Sequence, residues 1–164
     1  EHISWTFYIE GVSRSFLAQI TRHRIGSFTS TSQHYTDYRN MPMIVSQAVK
    51  TTQYAQDILA NAIECYSWLI EDGIPKEEAR QVLPNAAEVR LIWTVNARSL
   101  FNFFEQRWCS RNVEEMRWFC TVLHNVVGKT WPEFASLLGP YCYQRDGKCN
   151  QGKMTCGRPW KYDD

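Results

Sequence analysis

Apolar and polar positions alternate at the start of the chain. Ile3, Trp5, Phe7 and Ile9 interleave with Ser4, Thr6 and Tyr8, strong β formers that predict a strand over 3–9. Ser13 then stands before Phe16, Leu17 and Ile20 at helical spacing. A short helix is therefore expected from about Arg14 to the Arg22-His23-Arg24 cluster, which falls at its C-terminal end. Residues 25–40 hold five Ser or Thr in their first eight positions and little periodicity, the chemistry of a donor-rich loop that could cradle a ligand. From Ile44 to Ile70 the set Val45, Ala48, Val49, Tyr54, Ile58, Leu59, Ile63, Tyr66 and Leu69 follows the helical period, predicting one long helix that Asp72-Gly73 ends.

Pro75 followed by Lys76-Glu77-Glu78 has the form of a helix start, with carboxylates near the positive end of the dipole, and Pro84 closes that segment. Residues 88–96 (EVRLIWTVN) read as a second strand, and Ser99 to Gln106 as an aromatic-rich helix. Further helices are expected over Glu114–Val127 and Trp131–Leu138, before a Gly- and Cys-rich tail.

A chain of 164 residues with 44% hydrophobic and 21% charged residues suits one domain over 1–164 and is short for two. It contains no run of eighteen apolar residues and does not open like a signal peptide, so a cytoplasmic protein with no membrane partner is expected. Eighteen Lys and Arg against seventeen Asp and Glu leave a net charge of +1, which argues against a general grip on nucleic acid. Twelve of the eighteen are Arg, whose planar fork grips phosphate or carboxylate bidentately, so any anion is expected to be held locally. Six cysteines (65, 109, 120, 142, 149, 156) are too scattered for a disulfide scaffold. The last three are evenly spaced, Cys142-x6-Cys149-x6-Cys156, but there is no CxxC pair and no evident fourth ligand, so no metal is expected.

The most concentrated chemistry is Arg22-His23-Arg24, followed after seven residues by Ser32. Consecutive helical side chains point about 100° apart, so three such donors would reach toward more than one ligand group or subunit. A basic tripeptide after a helix is equally a favourable charge on the dipole. The second feature is Asn96-Ala97-Arg98-Ser99-Leu100-Phe101-Asn102, with Arg107 beyond it. Arg98 and Asn102 share a helix face and could address one heteroaromatic or phosphate ligand, or simply be solvated.

Taken together, these segments resemble the flavin-dependent thymidylate synthases, the ThyX type. The resemblance rests on RHRIGSFTSTS (22–32) with EHISWTFYIEGVSRSFLAQIT before it and QHY after. It extends through EEARQVLPNA (77–86), TVNARSLFNFFEQR (94–107) and GKMTCG (152–157). It implies an α+β fold, an antiparallel or mixed sheet packed with long helices. It also implies reductive methylation of dUMP to dTMP, with methylenetetrahydrofolate supplying the carbon and NADPH-reduced FAD the hydride.

By that resemblance Arg22, His23, Arg24, Ser30, Asn96, Ala97, Arg98 and Asn102 are expected to bind FAD. Gln19, Arg22, Thr31, Ser32, Gln33, His34, Arg80 and Arg107 are expected to bind dUMP. Arg80 would fork onto the 5′-phosphate, and Arg107, the catalytic residue, would stabilise negative charge as uracil N3 loses its proton. Ser32 has no base supplied nearby in sequence and reads as an orienting hydrogen-bond partner rather than a nucleophile. Family members form their sites between subunits of a homotetramer, which suits a chain with seven Trp and eight Tyr to offer at contact surfaces.

The chain departs from the family pattern at several points. His34 replaces an Arg, and an imidazole near phosphate would bind less tightly and with more pH dependence. Ser30-Thr31 stands where an acidic or amide residue is usual, Gln106 where an apolar one is common, and Asn112-Val113 where Ala-Gln is frequent. The family usually also carries some further sequence before Glu1-His2 and a longer connection after Tyr35. Two other readings are a degenerate relative that binds nucleotide or flavin without turnover, and a nucleic-acid module stacking bases on Phe28 and Tyr35.

Overall fold

Strand β1, Ser4–Ser13, runs past the point where the alternation stops. Gly11 takes a left-handed conformation (φ 69°), after which Val12 and Ser13 are buried in succession. A left-handed glycine that shifts the inward-facing set by one residue is how a bulge acts. The Gly11 N–H donates to the buried Glu88 carboxylate at 2.9 Å, fixing the kink. The computed structural model describes residues 2–158. Glu1 and residues 159–164, which the single-domain expectation includes, lie outside the described residues.

Helix α1, Arg14–Ile20, starts where Ser13 Oγ accepts from the Phe16 N–H at 3.0 Å. Such a cap contributes about 1 kcal/mol. Strand β2, Ser27–Ser30, occupies part of the expected loop. It pairs antiparallel with β3, Glu88–Asn96, in the register Ser27 with Thr94 through Ser30 with Leu91. The strand order is β1-β3-β2, so β2 is an edge, short and polar as edges that avoid aggregation are. Its Ser and Thr suit a loop in isolation; the free ladder groups of β3 and the Phe28 ring, parallel to Trp93 at 6.0 Å, decide otherwise.

The expected long helix is two helices, α2 (Gln47–Lys50) and α3 (Gln53–Glu71). Between them the Thr51 and Thr52 hydroxyls each donate back to Ala48 O, at 3.1 and 3.0 Å. Paired β-branched residues that bond backward compete with the helical ladder at that point. At the far end Asp72 caps α3 and Gly73 takes φ 82°, as expected. Pro75 precedes α4 (Lys76–Ala79) as its N-cap rather than lying within it, and a 3-10 turn, Arg80–Val82, follows.

Helix α5 is Ala97–Arg107, α6 Glu114–Thr130 and α7 only Pro132–Ala135. Two 3-10 turns, Tyr143–Arg145 and Gly152–Met154, punctuate the tail. No helix among the described residues is long and apolar enough to cross a membrane.

The Cα packing divides the chain into two compact units. One is Thr6–Thr94; the other joins the described residues up to Trp5 with those from Val95 onward. In the first, Tyr38, Tyr66, Ala79 and Ala87 form a buried cluster with Leu69, Ile70 and Leu83 packed against it. In the second, Phe103 meets Phe104 and Phe119 edge-on, and Phe104 and Trp108 close around His124. The His124 imidazole bonds Ala135 O at 3.0 Å, which holds α7 to α6.

Candidate functional site

Ten of the expected ligands belong to the Thr6–Thr94 unit. Helix α1 ends at Ile20, and the chain continues in two further turns, Arg22 N–H to Gln19 O and His23 N–H to Ile20 O, at 3.3 and 3.1 Å. The Arg22-His23-Arg24 cluster thus lies just past the helix. In it Arg22 and Arg24 are exposed and His23 is half-buried. No acidic residue occupies the first turn of α1 and no basic residue its last, so the cations are carried by the turn itself.

Beyond β2, Ser30 is exposed at the strand end, and Thr31 prolongs the pairing, its N–H and hydroxyl both donating to Arg90 O at 2.8 and 3.0 Å. Ser32 then makes a tight turn: its Oγ accepts from the His34 N–H at 3.2 Å and its carbonyl from the N–H groups of Tyr35 and Thr36. The Ser32 hydroxyl is therefore an organiser of the Gln33-His34 turn. His34 meets the Tyr35 ring edge-on at 4.3 Å. Arg39 forks onto Asp37 just downstream and holds that carboxyl below the usual range.

Arg80 sits where α4 passes into its 3-10 turn, exposed, its Nε donating to Glu77 O at 3.0 Å. One helical turn earlier, Lys76 Nζ donates to Tyr35 O at 3.2 Å. That bond ties the α4 segment to the Ser32–Tyr35 turn and brings together two stretches more than forty residues apart. Lys76 was missed by sequence reasoning; its i, i+4 relation to Arg80 was the available signal. Phe28 is stacked on Trp93, so it is not held out for a nucleobase.

The other expected ligands belong to the second unit. Asn96 ends β3 and caps α5, its side-chain oxygen accepting from the Ser99 N–H at 2.8 Å. Ala97 N–H donates to Ile3 O at 2.9 Å. Arg98 is exposed and Asn102 half-buried one turn on, opposite a face where Leu100, Phe103 and Phe104 are buried. Arg107 closes α5, half-buried, and its charge reaches the buried Cys120, whose thiol burial pushes well above its ordinary range. A cleft of about 260 Å³ in this unit, lined by Glu105, Gln106, Cys109, Tyr141, Cys142 and Gln151, contains none of the expected ligands.

Exposed guanidinium groups on a turn and on a helix face suit a diphosphate and an oxygen- and nitrogen-rich ring, so the donor set fits FAD in chemistry. These features define an α+β protein with exposed arginines on a turn of one unit and on a helix face of the other. The family described as "Thymidylate synthase complementing protein" matches residues 1–133, and the chain belongs to this family. A flavin-dependent thymidylate synthase of Geobacter sulfurreducens is 40% identical, over 96% of this chain and 70% of its own length. One from Clostridium tetani is 36% identical, over 96% of this chain and 71% of its own. The crystal structure of the flavin-dependent thymidylate synthase ThyX from Helicobacter pylori complexed with FAD and dUMP superposes with a TM-score of 0.71 at 25% identity. That match covers 84% of this chain and 74% of the other.

Proposed function

We propose that this chain methylates dUMP reductively to dTMP as a flavin-dependent thymidylate synthase, with residues 1–164 belonging to one catalytic domain. The observation that carries the reading is the Lys76–Tyr35 bond, which gathers Arg80 and the Ser32–His34 turn, two stretches the family pattern assigns to one nucleotide. FAD, when bound, supplies the hydride; methylenetetrahydrofolate brings the carbon and NADPH the reducing equivalents.

In this reading Arg22, His23, Arg24 and Ser30, with Asn96, Ala97, Arg98 and Asn102, hold the flavin. Gln19, Arg22, Thr31, Ser32, Gln33 and His34 orient the nucleotide. Arg80 grips the 5′-phosphate, and Arg107 stabilises the uracil as its N3 proton leaves. The family's homotetramer with intersubunit sites and a cytoplasmic location complete the proposal.

The visible spectrum of the purified chain tests it. A bound flavin band should shift when dUMP is added, because the two ligands share one site. A colourless protein that cannot be reconstituted with FAD would overturn the reading. Arg80→Ala should leave the flavin band in place and weaken dUMP binding roughly ten- to hundredfold, since hydrogen bonds to charged groups contribute about 1.5–3 kcal/mol. A dUMP titration of that band with unchanged affinity would remove Arg80 from the site.

A further inference from the structure

Four of the six cysteines, one just past α5 and three from the tail, surround one small cavity. Cys109 stands just past α5, and Cys142, Cys149 and Cys156 come from the tail. With Ser110 and Pro140 among their neighbours they line a space of about 30 Å³, enough for one ion or water. None of the four is in a disulfide.

The backbone is built to return a thiol to this place repeatedly. Tyr141 N–H donates to Glu105 O at 3.0 Å and lays the start of the tail along α5, beside Cys109. The chain then reverses at left-handed residues: Asp146 (φ 51°) and Gly147 (82°) between Cys142 and Cys149, and Gly152 (52°) between Cys149 and Cys156. Glycine adopts such conformations without steric cost, and Asp is among the few other residues that enter the left-handed region. The even six-residue spacing thus becomes a set of convergent loops.

Two of the sulfurs also accept amide hydrogen bonds of one type. Gln151 N–H donates to Cys149 Sγ at 3.5 Å, and Arg158 N–H to Cys156 Sγ at 3.4 Å, each two residues after the cysteine. The Cys156 thiol in turn donates to Arg158 O at 3.2 Å. Amide donors aimed at sulfur are the surroundings that steady a metal-bound thiolate.

We propose that Cys109, Cys142, Cys149 and Cys156 form a tetrathiolate site for a zinc ion, which fastens the C-terminal tail to the end of α5. A closed set of four sulfurs is a structural zinc site, and a 30 Å³ space excludes an iron–sulfur cluster. Binding transfers no electrons; the thiols release their protons to solvent as the four Zn–S bonds form. Among the described residues no three His, Cys, Asp or Glu side chains are grouped closely enough to hold an ion, so metal binding here requires the four sulfurs to close up.

The chain purified under reductant and without chelator should contain about one zinc per molecule by plasma emission. Cobalt(II) added to the metal-stripped chain should give sulfur-to-cobalt charge-transfer absorption and tetrahedral d–d bands. Cys109→Ser should bind cobalt roughly 100-fold more weakly or worse, and Cys65→Ser, in the other unit, as tightly as the parent. Cys149 is exposed, so Cys149→Ser tests the site even if Cys109→Ser folds poorly. The proposal is overturned by a stripped chain that takes up neither ion. Equally, it fails on a cobalt spectrum without charge transfer, or on Cys149→Ser titrating like the parent.

Discussion

Arg107→Ala should abolish dTMP formation while the flavin stays bound. Removing one preorganised stabiliser of developing charge typically lowers turnover by about 10²–10³-fold, and Arg107 is the residue proposed to meet that charge directly. Its position is fixed from several sides. It is the last residue of α5, its carbonyl accepts from Asn112 Nδ2 at 3.0 Å, and it is half-buried. The backbone that carries this guanidinium is thus already held when the uracil changes charge. Arg107→Lys keeps the charge and loses the fork, so it should fall between the parent and the alanine variant. The check is dTMP formed per bound flavin. Turnover at the parent rate in Arg107→Ala would remove the activating role.

Trp93→Ala should be the most damaging single change to stability, by about 3–5 kcal/mol. Trp93 is fully buried in the middle of β3. Its ring stands 5.9 Å from Phe7 on one neighbouring strand and 6.0 Å from Phe28 on the other. Such aromatic contacts add about 0.5–1.5 kcal/mol each beyond area burial. Gly26 completes the fit: a Cβ there would come within 2.9 Å of the indole nitrogen, so the chain has no room for a side chain at that point. Urea unfolding midpoints measure the loss, with Trp93→Phe as the milder partner. A loss below about 1 kcal/mol in Trp93→Ala would show that the three rings do not stabilise the sheet cooperatively.

The sequence was most legible where one periodicity ran unbroken. Strand β3 falls on the expected residues, and α5 and α6 begin within two residues of expectation, because a buried strand and amphipathic helices write their faces into local order. It was least legible where a distant partner decides. Ser27–Ser30 becomes a strand only because β3 offers it a ladder, and no local pattern announces that. The break at Thr51-Thr52 depends on hydroxyls turning back on Ala48, against an apolar pattern that continues across it. The candidate ligands were readable as residue types in fixed spacing; the Lys76–Tyr35 contact that gathers two of their segments was not. Cys109 was likewise invisible as a companion of the tail thiols, since its place beside them comes from Tyr141 pairing with Glu105.

Asn96 joins strand to helix without an intervening loop, and its carboxamide oxygen is already engaged by the Ser99 N–H. The NH₂ half of the side chain can still donate, to a group that brings a lone pair. Aspartate would start the helix as well and offer the reverse: no donor, and a negative charge. Asparagine at this junction therefore starts the helix and keeps a neutral donor, a combination that aspartate would lose.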